Sequence, residues 1–512
     1  MGGREMSLDT ARRSAIFLTI LSVISQVLGF CYRVGLSRMV GAEVMGLYQL
    51  VMPVYSVMMS IVSVGLTAAV ATLSAKQLAL GAHEAAGRVV PRALSVFIWL
   101  MIPVAAVVLL LYDPISVYLL GDARTQLGLI LLLPCVALTA VENIHKHYFY
   151  GVGQVRPPAL IELTEQFIRA GAVLGLLAAV LPQNAEKTVG VIVLGMIACE
   201  VFSALSLVML YRKRQGKTLG GERVDGMGRT MLSIALPVGI TALLGNLMGA
   251  VNAAVVPRLL IGKMSREAAM SAFGVVSGMT LPMLSVPTLF LGALNLVMMP
   301  RVAQYCALGR RERAAGVVRR ALEVVCVVMP PCMALLCVAG SELGQLLFRR
   351  GDVGQYLPLL ALTVACGAMQ MVLSGALNGA GRQGVAAGIA LGCDVVQLAV
   401  TMLIMSRPDG GMEGFAVGLA GSGVLGTVLC AGAVRRCMGR KMGLVRLAVL
   451  PGLGAVLAGL VARLLLMRLS AVGLAGWPLV GSVLFFGGAV YLAALQAMGV
   501  RPGFLRKKKI DK

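Results

Sequence analysis

The residues of this sequence whose types and spacing could do chemistry are ionisable or amide side chains set inside long apolar runs. Glu162, Glu165 and Arg169 recur at i, i+3 and i+7 and so share one face of a helix. Glu165 and Arg169 are in the favourable i,i+4 order: they either neutralise each other or present an acid–base pair to a polar cavity. Arg169 would lie about 16 Å along its helix at 1.5 Å per residue, near mid-bilayer, which favours a cavity over lipid contact. Arg33 and Arg258 each end an apolar run at matching positions of two similar stretches, with Arg38 answered by Lys263. A guanidinium grips phosphate or carboxylate with two parallel hydrogen bonds, so such a pair facing a cavity would hold a diphosphate or an acidic sugar. The alternative is that both snorkel to the interface. Asp394, with Gln397 three residues on, is a mid-span acid suited to a proton or sodium ion, or to a hydrogen-bonded helix contact. Asn246, Asn252, Asn295, Asn378 and Gln26 would line the same cavity or bridge helices. Glu142, His145, Lys146 and His147 cluster where a helix end meets solvent.

What must position these groups is a membrane. Of 512 residues, 58% are hydrophobic and only 13% charged, with mean hydropathy +0.89, whereas soluble domains are about a quarter charged. Runs of roughly 20 apolar residues cross the hydrocarbon. Fourteen are counted, from 14–33 and 46–73 through 158–181, 230–256 and 384–406 to 443–468 and 476–497. Alternate connecting segments hold 32 of the 45 Lys and Arg, which puts both termini in the cytoplasm. The net charge of +23 is then a matter of topology and anionic membrane lipids, not nucleic acid. The 11 cysteines lie mostly in apolar runs without metal-ligand spacing and read as small core residues. The first apolar run lacks a small-residue cleavage site and should remain as a span.

The chain is a duplication. Ala79–Leu94 (ALGAHEAAGRVVPRAL) and Ala307–Leu322 (ALGRRERAAGVVRRAL), 228 residues apart, agree at ten of sixteen positions, and Gly46 and Pro103 are answered by Gly274 and Pro331. Both copies fall on the same side, so the repeat is six helices and the halves share one orientation, with a substrate path between them. The fold expected is an all-α polytopic membrane protein of about fourteen transmembrane helices. It comprises an N-terminal six-helix bundle (1–211), a cytoplasmic linker (212–229), a pseudo-symmetric second bundle (230–434), and a C-terminal helix pair with a basic cytoplasmic tail (435–512). Glycines such as Gly29, Gly41, Gly46 and Gly274, and Pro53, Pro237, Pro282 and Pro287 inside spans, permit close packing or bending. No nucleotide loop, GxSxG elbow or catalytic carboxylate pair is present, so neither an enzyme nor a cofactor or metal site is expected.

Leu28–Gln49 (LGFCYRVGLSRMVGAEVMGLYQ), the stretch Pro53–Ala71 and the doubled basic loop together resemble the stage V sporulation protein B group of the MOP exporter superfamily. That group is related to MurJ-like lipid II flippases and to polysaccharide flippases. The resemblance spans essentially the whole chain. It implies a bundle alternating between inward- and outward-open states, carrying an undecaprenyl-diphosphate-linked saccharide outward across the cytoplasmic membrane. It also implies cavity arginines that meet the diphosphate and a groove at the last helix pair for the lipid tail. Arg33 and Arg38 match the sporulation-type motif; in a MurJ-type first helix the cavity arginine's place falls on Tyr32.

Three functions follow as expectations. The first is export of a lipid-linked saccharide, a polysaccharide unit or a peptidoglycan precursor such as lipid II, in sporulation or cell-wall synthesis, with a wall-synthesis polymerase as protein partner. The second is multidrug/cation antiport on the related fold, against which Ser14–Tyr32 and Met231–Val256 contain no Asp or Glu. The third is a non-transporting scaffold of a wall-synthesis complex, which would tolerate loss of Arg33, Arg169 and Arg258.

Overall fold

The computed structural model describes residues 2–180, 184–215, 226–439 and 443–499. These form sixteen α-helices and, among the described residues, no strand. In order they are α1 (Gly2–Met59), α2 (Gly65–Ala79), α3 (His83–Pro114), α4 (Gln126–Gly151), α5 (Arg156–Val180), α6 (Ala185–Gln215), α7 (Met227–Ile261) and α8 (Arg266–Phe273). There follow α9 (Leu281–Ser285), α10 (Phe290–Ala307), α11 (Arg311–Phe348), α12 (Leu357–Gly379), α13 (Gln383–Met405), α14 (Glu413–Met438), α15 (Leu444–Ala471) and α16 (Gly476–Ala497).

Among the described residues thirteen helical stretches are long and apolar enough to cross a membrane. The count differs from fourteen because the first two spans run on as one helical stretch, Ile20–Ala79, of 60 residues, kinked within. At 1.5 Å per residue it is roughly 90 Å long, about three hydrocarbon thicknesses. Its break is at Gly41, whose φ of 76° and ψ of 177° leave helix on both sides long enough to cross; a residue with a Cβ resists that conformation. The all-helical polytopic architecture expected from composition is thus observed.

Contacts divide the chain into two compact units, Met1–Gly274 and Val275–Lys512. The sequence division at 212–229 is proposed for the ancestry of the halves. Packing divides the chain elsewhere, because α7 packs on α2 and α8 on α1. Of the expected linker, residues 216–225 lie outside the described residues, as do 500–512 of the basic tail.

The duplication persists in the backbone at its spacing of 228. Helix α3 begins at 83 and α11 at 311; α4 ends at 151 and α12 at 379; α6 begins at 185 and α14 at 413. In each unit α4 and α5, or α12 and α13, pack on α6 or α14. The turn after the long helix repeats angle by angle. Gly121 (φ 81°) is matched by Arg349 (φ 58°), the one non-glycine with positive φ among the described residues, and Asp122 (φ −145°, ψ 112°) by Arg350 (φ −142°, ψ 119°). An i,i+2 ion pair also repeats with its charges exchanged: Asp122–Arg124 at 2.7 Å in one unit, Arg350–Asp352 at 2.6 Å in the other. In the first unit Arg124 further reaches Glu43 at 2.5 Å, tying α1 just past its break to this turn.

Helices α1 and α8 cross backbone to backbone. A Cβ on Gly46 would strike the carbonyl oxygen of Met270, and one on Gly274 the carbonyl oxygen of Ala42; these four residues are two pairs of repeat mates. Gly46→Leu is therefore expected to lower stability by about 1–3 kcal/mol through overpacking, read as a lower thermal midpoint in detergent. Gly171→Ala, where nothing lies within 4 Å, should not lower it.

The last two helices dock on α11. Leu335 of α11 packs with Ala462 of α15 and with Leu479 and Val483 of α16, and the Tyr491 hydroxyl donates to the Val327 carbonyl at 2.6 Å.

Candidate functional site

In the first unit the apolar packing of α4, α5 and α6 encloses a continuous ionic network. Arg169 lies roughly 20 Å along α5 from Arg156 at 1.5 Å per residue. Its guanidinium donates to Glu165 one turn back, to Glu200 of α6 at 3.1 Å, and through Nε to the Cys199 sulfur at 3.4 Å. The Ser203 hydroxyl donates to the second oxygen of Glu165 at 2.9 Å. Toward the start of α5, Lys146 of α4 pairs with Glu162 at 2.8 Å and approaches Glu142 at 3.9 Å. Glu142, Glu165 and Glu200 are all but inaccessible, at 4%, 4% and 2% exposure. Burying such charges is tolerated only when they are paired and hydrogen-bonded, which most of these groups are.

Glu165, Cys199 and Glu200 bring three donor atoms within 4.8 Å of one another, a spacing a metal ion could use. Arg169 donates to all three, so the guanidinium itself is the cation of that group. Helix α1 closes the network with tyrosines. Tyr55 donates to Thr139 at 3.1 Å, Tyr48 to the Met196 sulfur at 3.7 Å, and the buried Tyr32 hydroxyl lacks a hydrogen-bond partner.

The second unit provides an internal comparison. At the positions of Glu142, Lys146, Glu165, Arg169 and Glu200 it has Gln370, Ser374, Cys393, Gln397 and Val428. The same helix arrangement is there held by neutral contacts: Gln397 to Thr401 at 3.3 Å, Ser374 with Cys430 at 3.6 Å, and Thr427 to the Cys366 carbonyl at 3.0 Å. Packing of this repeat does not require the charges.

The remaining candidates fall in different places. Arg33 is half-buried, and Tyr32 and Tyr48 feel both its charge and that of Arg169, so these two arginines belong to one neighbourhood. Arg38 is exposed on α1. Arg258 is exposed and lies over Gly121, where a Cβ would meet its Nε at 3.0 Å; among the described residues no contact joins it to Arg33. Asn246 donates to the Ser60 hydroxyl at 2.6 Å, tying α7 to the segment after α1. Asn252 bonds its own helix at Met248, leaving its buried amide oxygen without a partner. Asp394 is half-buried on α13, and among the described residues no cation pairs with it. One expectation is corrected: Glu142 and His145 do not form a solvated helix end but are buried, because α6 packs along α4 to that depth, with Tyr211 edge-on to His145 at 5.2 Å. Sequence reasoning missed Glu200, Cys199, Ser203 and the α1 tyrosines. The available signal was Glu200, a lone acid in the run VIVLGMIACEVFSALSLV.

Duplicated helices of membrane-crossing length around a buried ionic core make this a polytopic membrane protein. The chain belongs to the polysaccharide biosynthesis protein family, whose profile matches residues 11–305. It is 22% identical over 456 residues, 85% of each chain, to stage V sporulation protein B of Bacillus subtilis (strain 168). Its fold is that of the lipid II flippase MurJ in its inward closed conformation, with a TM-score of 0.71 at 13% identity, covering 94% of this chain and 98% of that one. An inward-facing multidrug resistance MATE family transporter of the MOP superfamily is also similar, with a TM-score of 0.68 at 13% identity, covering 84% and 99%. The superfamily resemblance read from Leu28–Gln49 is thus borne out.

Proposed function

We propose that this chain exports an undecaprenyl-diphosphate-linked saccharide, moving the head group outward across the cytoplasmic membrane by alternating access, with both termini in the cytoplasm. The observation that carries this reading is membership of the polysaccharide biosynthesis family, reinforced by similarity to stage V sporulation protein B over 85% of each chain and by the fold of a lipid II flippase. The anionic diphosphate would meet Arg33, the half-buried arginine beside Tyr32 and Tyr48, while the polyprenyl tail stays in lipid. The cationic loops would hold anionic lipid heads, and a wall-synthesis polymerase would use the exported unit. Membrane-embedded carboxylates favour one second reading, cation-coupled drug export on the MATE-like fold.

The test is translocation of a fluorescent undecaprenyl-diphosphate saccharide in proteoliposomes. Head groups should become accessible on the far side only in vesicles containing the protein. Export of cationic dyes with no movement of the lipid would overturn the reading in favour of antiport.

A further inference from the structure

Glu200 carries one oxygen, Oε2, that is buried without a hydrogen-bond partner, on a side chain 2% exposed. A bare anionic oxygen in a membrane interior is strongly unfavourable. Charge counting locates the defect. Three buried carboxylates, Glu142, Glu165 and Glu200, share two cations, and the closer pairing of Lys146 is to Glu162, not Glu142. Arg169 covers Glu165 and the other oxygen of Glu200, so the buried group, left with Arg169 and only a share of Lys146, is short of at least one positive charge, and the deficit falls on Glu142 and Glu200. Across the packed helices α4 and α6 these two carboxyl groups act directly on each other.

We propose that Glu142 and Glu200 form a one-proton site, in which a single exchangeable proton is shared between the two carboxyl groups at neutral pH. Two adjacent carboxylates out of water cannot both stay ionised, and a proton supplies the missing charge and bonds the orphaned oxygen in one step. Sodium is the competing occupant, and the nearby hydroxyl oxygens that could ligate it already make hydrogen bonds within the protein. Tyr55 donates to Thr139, Thr139 to the Cys135 carbonyl, and Ser203 to Glu165. The titratable and charged groups around the pair are Cys135 and Lys146 on α4, Glu165 and Arg169 on α5, Cys199 on α6 and Tyr55 on α1. Those of α3 stand at its two ends, and the only one on α2, Lys76, is exposed. The repeat mates, Gln370 and Val428, are a neutral amide and a hydrocarbon, so the site belongs to one unit only. If the chain is an exporter, as proposed above, this proton is what it can exchange against its cargo.

Infrared titration of the purified protein tests the site without any transported substrate. A protonated-carboxyl C=O band is expected at neutral pH in wild type and Asp394→Asn, and absent from Glu142→Gln and Glu200→Gln. Should either glutamine variant fail to fold, ¹³C-glutamate labelling of the wild type must shift the band. A band that is missing, that moves only with labelled aspartate, or that sodium abolishes at constant pH overturns the proposal. In proteoliposomes an imposed pH gradient should accelerate lipid translocation in wild type and not in Glu200→Gln. Translocation indifferent to the gradient would overturn coupling; no translocation at all, with the band present, would instead overturn the transport reading.

Discussion

Arg169→Ala is expected to lower the unfolding free energy by about 3–5 kcal/mol, since removing one partner of a buried pair leaves the other charge uncompensated. Here two carboxylates are stranded at once, Glu165 and Glu200, and the Cys199 sulfur loses its donor. Denaturant unfolding in detergent, followed by circular dichroism, measures the loss. The informative companion replaces the buried carboxylates and both cations by their repeat mates, leaving the more exposed Glu162: Glu142→Gln, Lys146→Ser, Glu165→Cys, Arg169→Gln and Glu200→Val together. Replacing a complete buried ionic group by well-packed neutral side chains is often neutral or stabilising, and the second unit packs the same helices with this set. The fivefold variant should therefore recover most of the stability lost in Arg169→Ala while abolishing proton-coupled transport. If it is as unstable as the single variant, the network is a structural need of the first unit.

Arg33→Ala is expected to reduce lipid translocation by about tenfold or more while leaving the thermal midpoint nearly unchanged. A hydrogen bond to a charged group contributes about 1.5–3 kcal/mol, or roughly 10- to 150-fold in binding. Among the described residues no carboxylate pairs with Arg33, so its removal strands no partner. Arg33→Lys should fall between, because an ammonium keeps the charge but not the two-pronged geometry. Arg258→Ala should cost less, since that side chain is exposed over Gly121 rather than beside the tyrosines of α1. Equal translocation rates for wild type and Arg33→Ala would remove Arg33 from the substrate path.

The sequence alone determined what local regularity encodes. Apolar runs of crossing length follow from composition within a window of about twenty residues. The duplication follows from one loop in which ten of sixteen residues still agree, and the Glu165–Arg169 pair from i,i+4 spacing on one helix. Tertiary structure decided everything that depends on how helices are rotated against one another. Glu200 meets Arg169 from 31 positions away and Glu142 from another helix; no period links them, because helix orientation is set by packing over the whole unit. The repeat of the turn at Asp122 and Arg350 was hidden because its ion pair survives with the charges exchanged, preserving backbone angles but not residue identity. Whether a half carries an ionic or a neutral interior became meaningful only when helices recurring at a spacing of 228 placed Glu142, Glu165, Arg169 and Glu200 against Gln370, Cys393, Gln397 and Val428. Matching backbones make the two sets equivalent in position, and burial is what makes their difference in charge consequential.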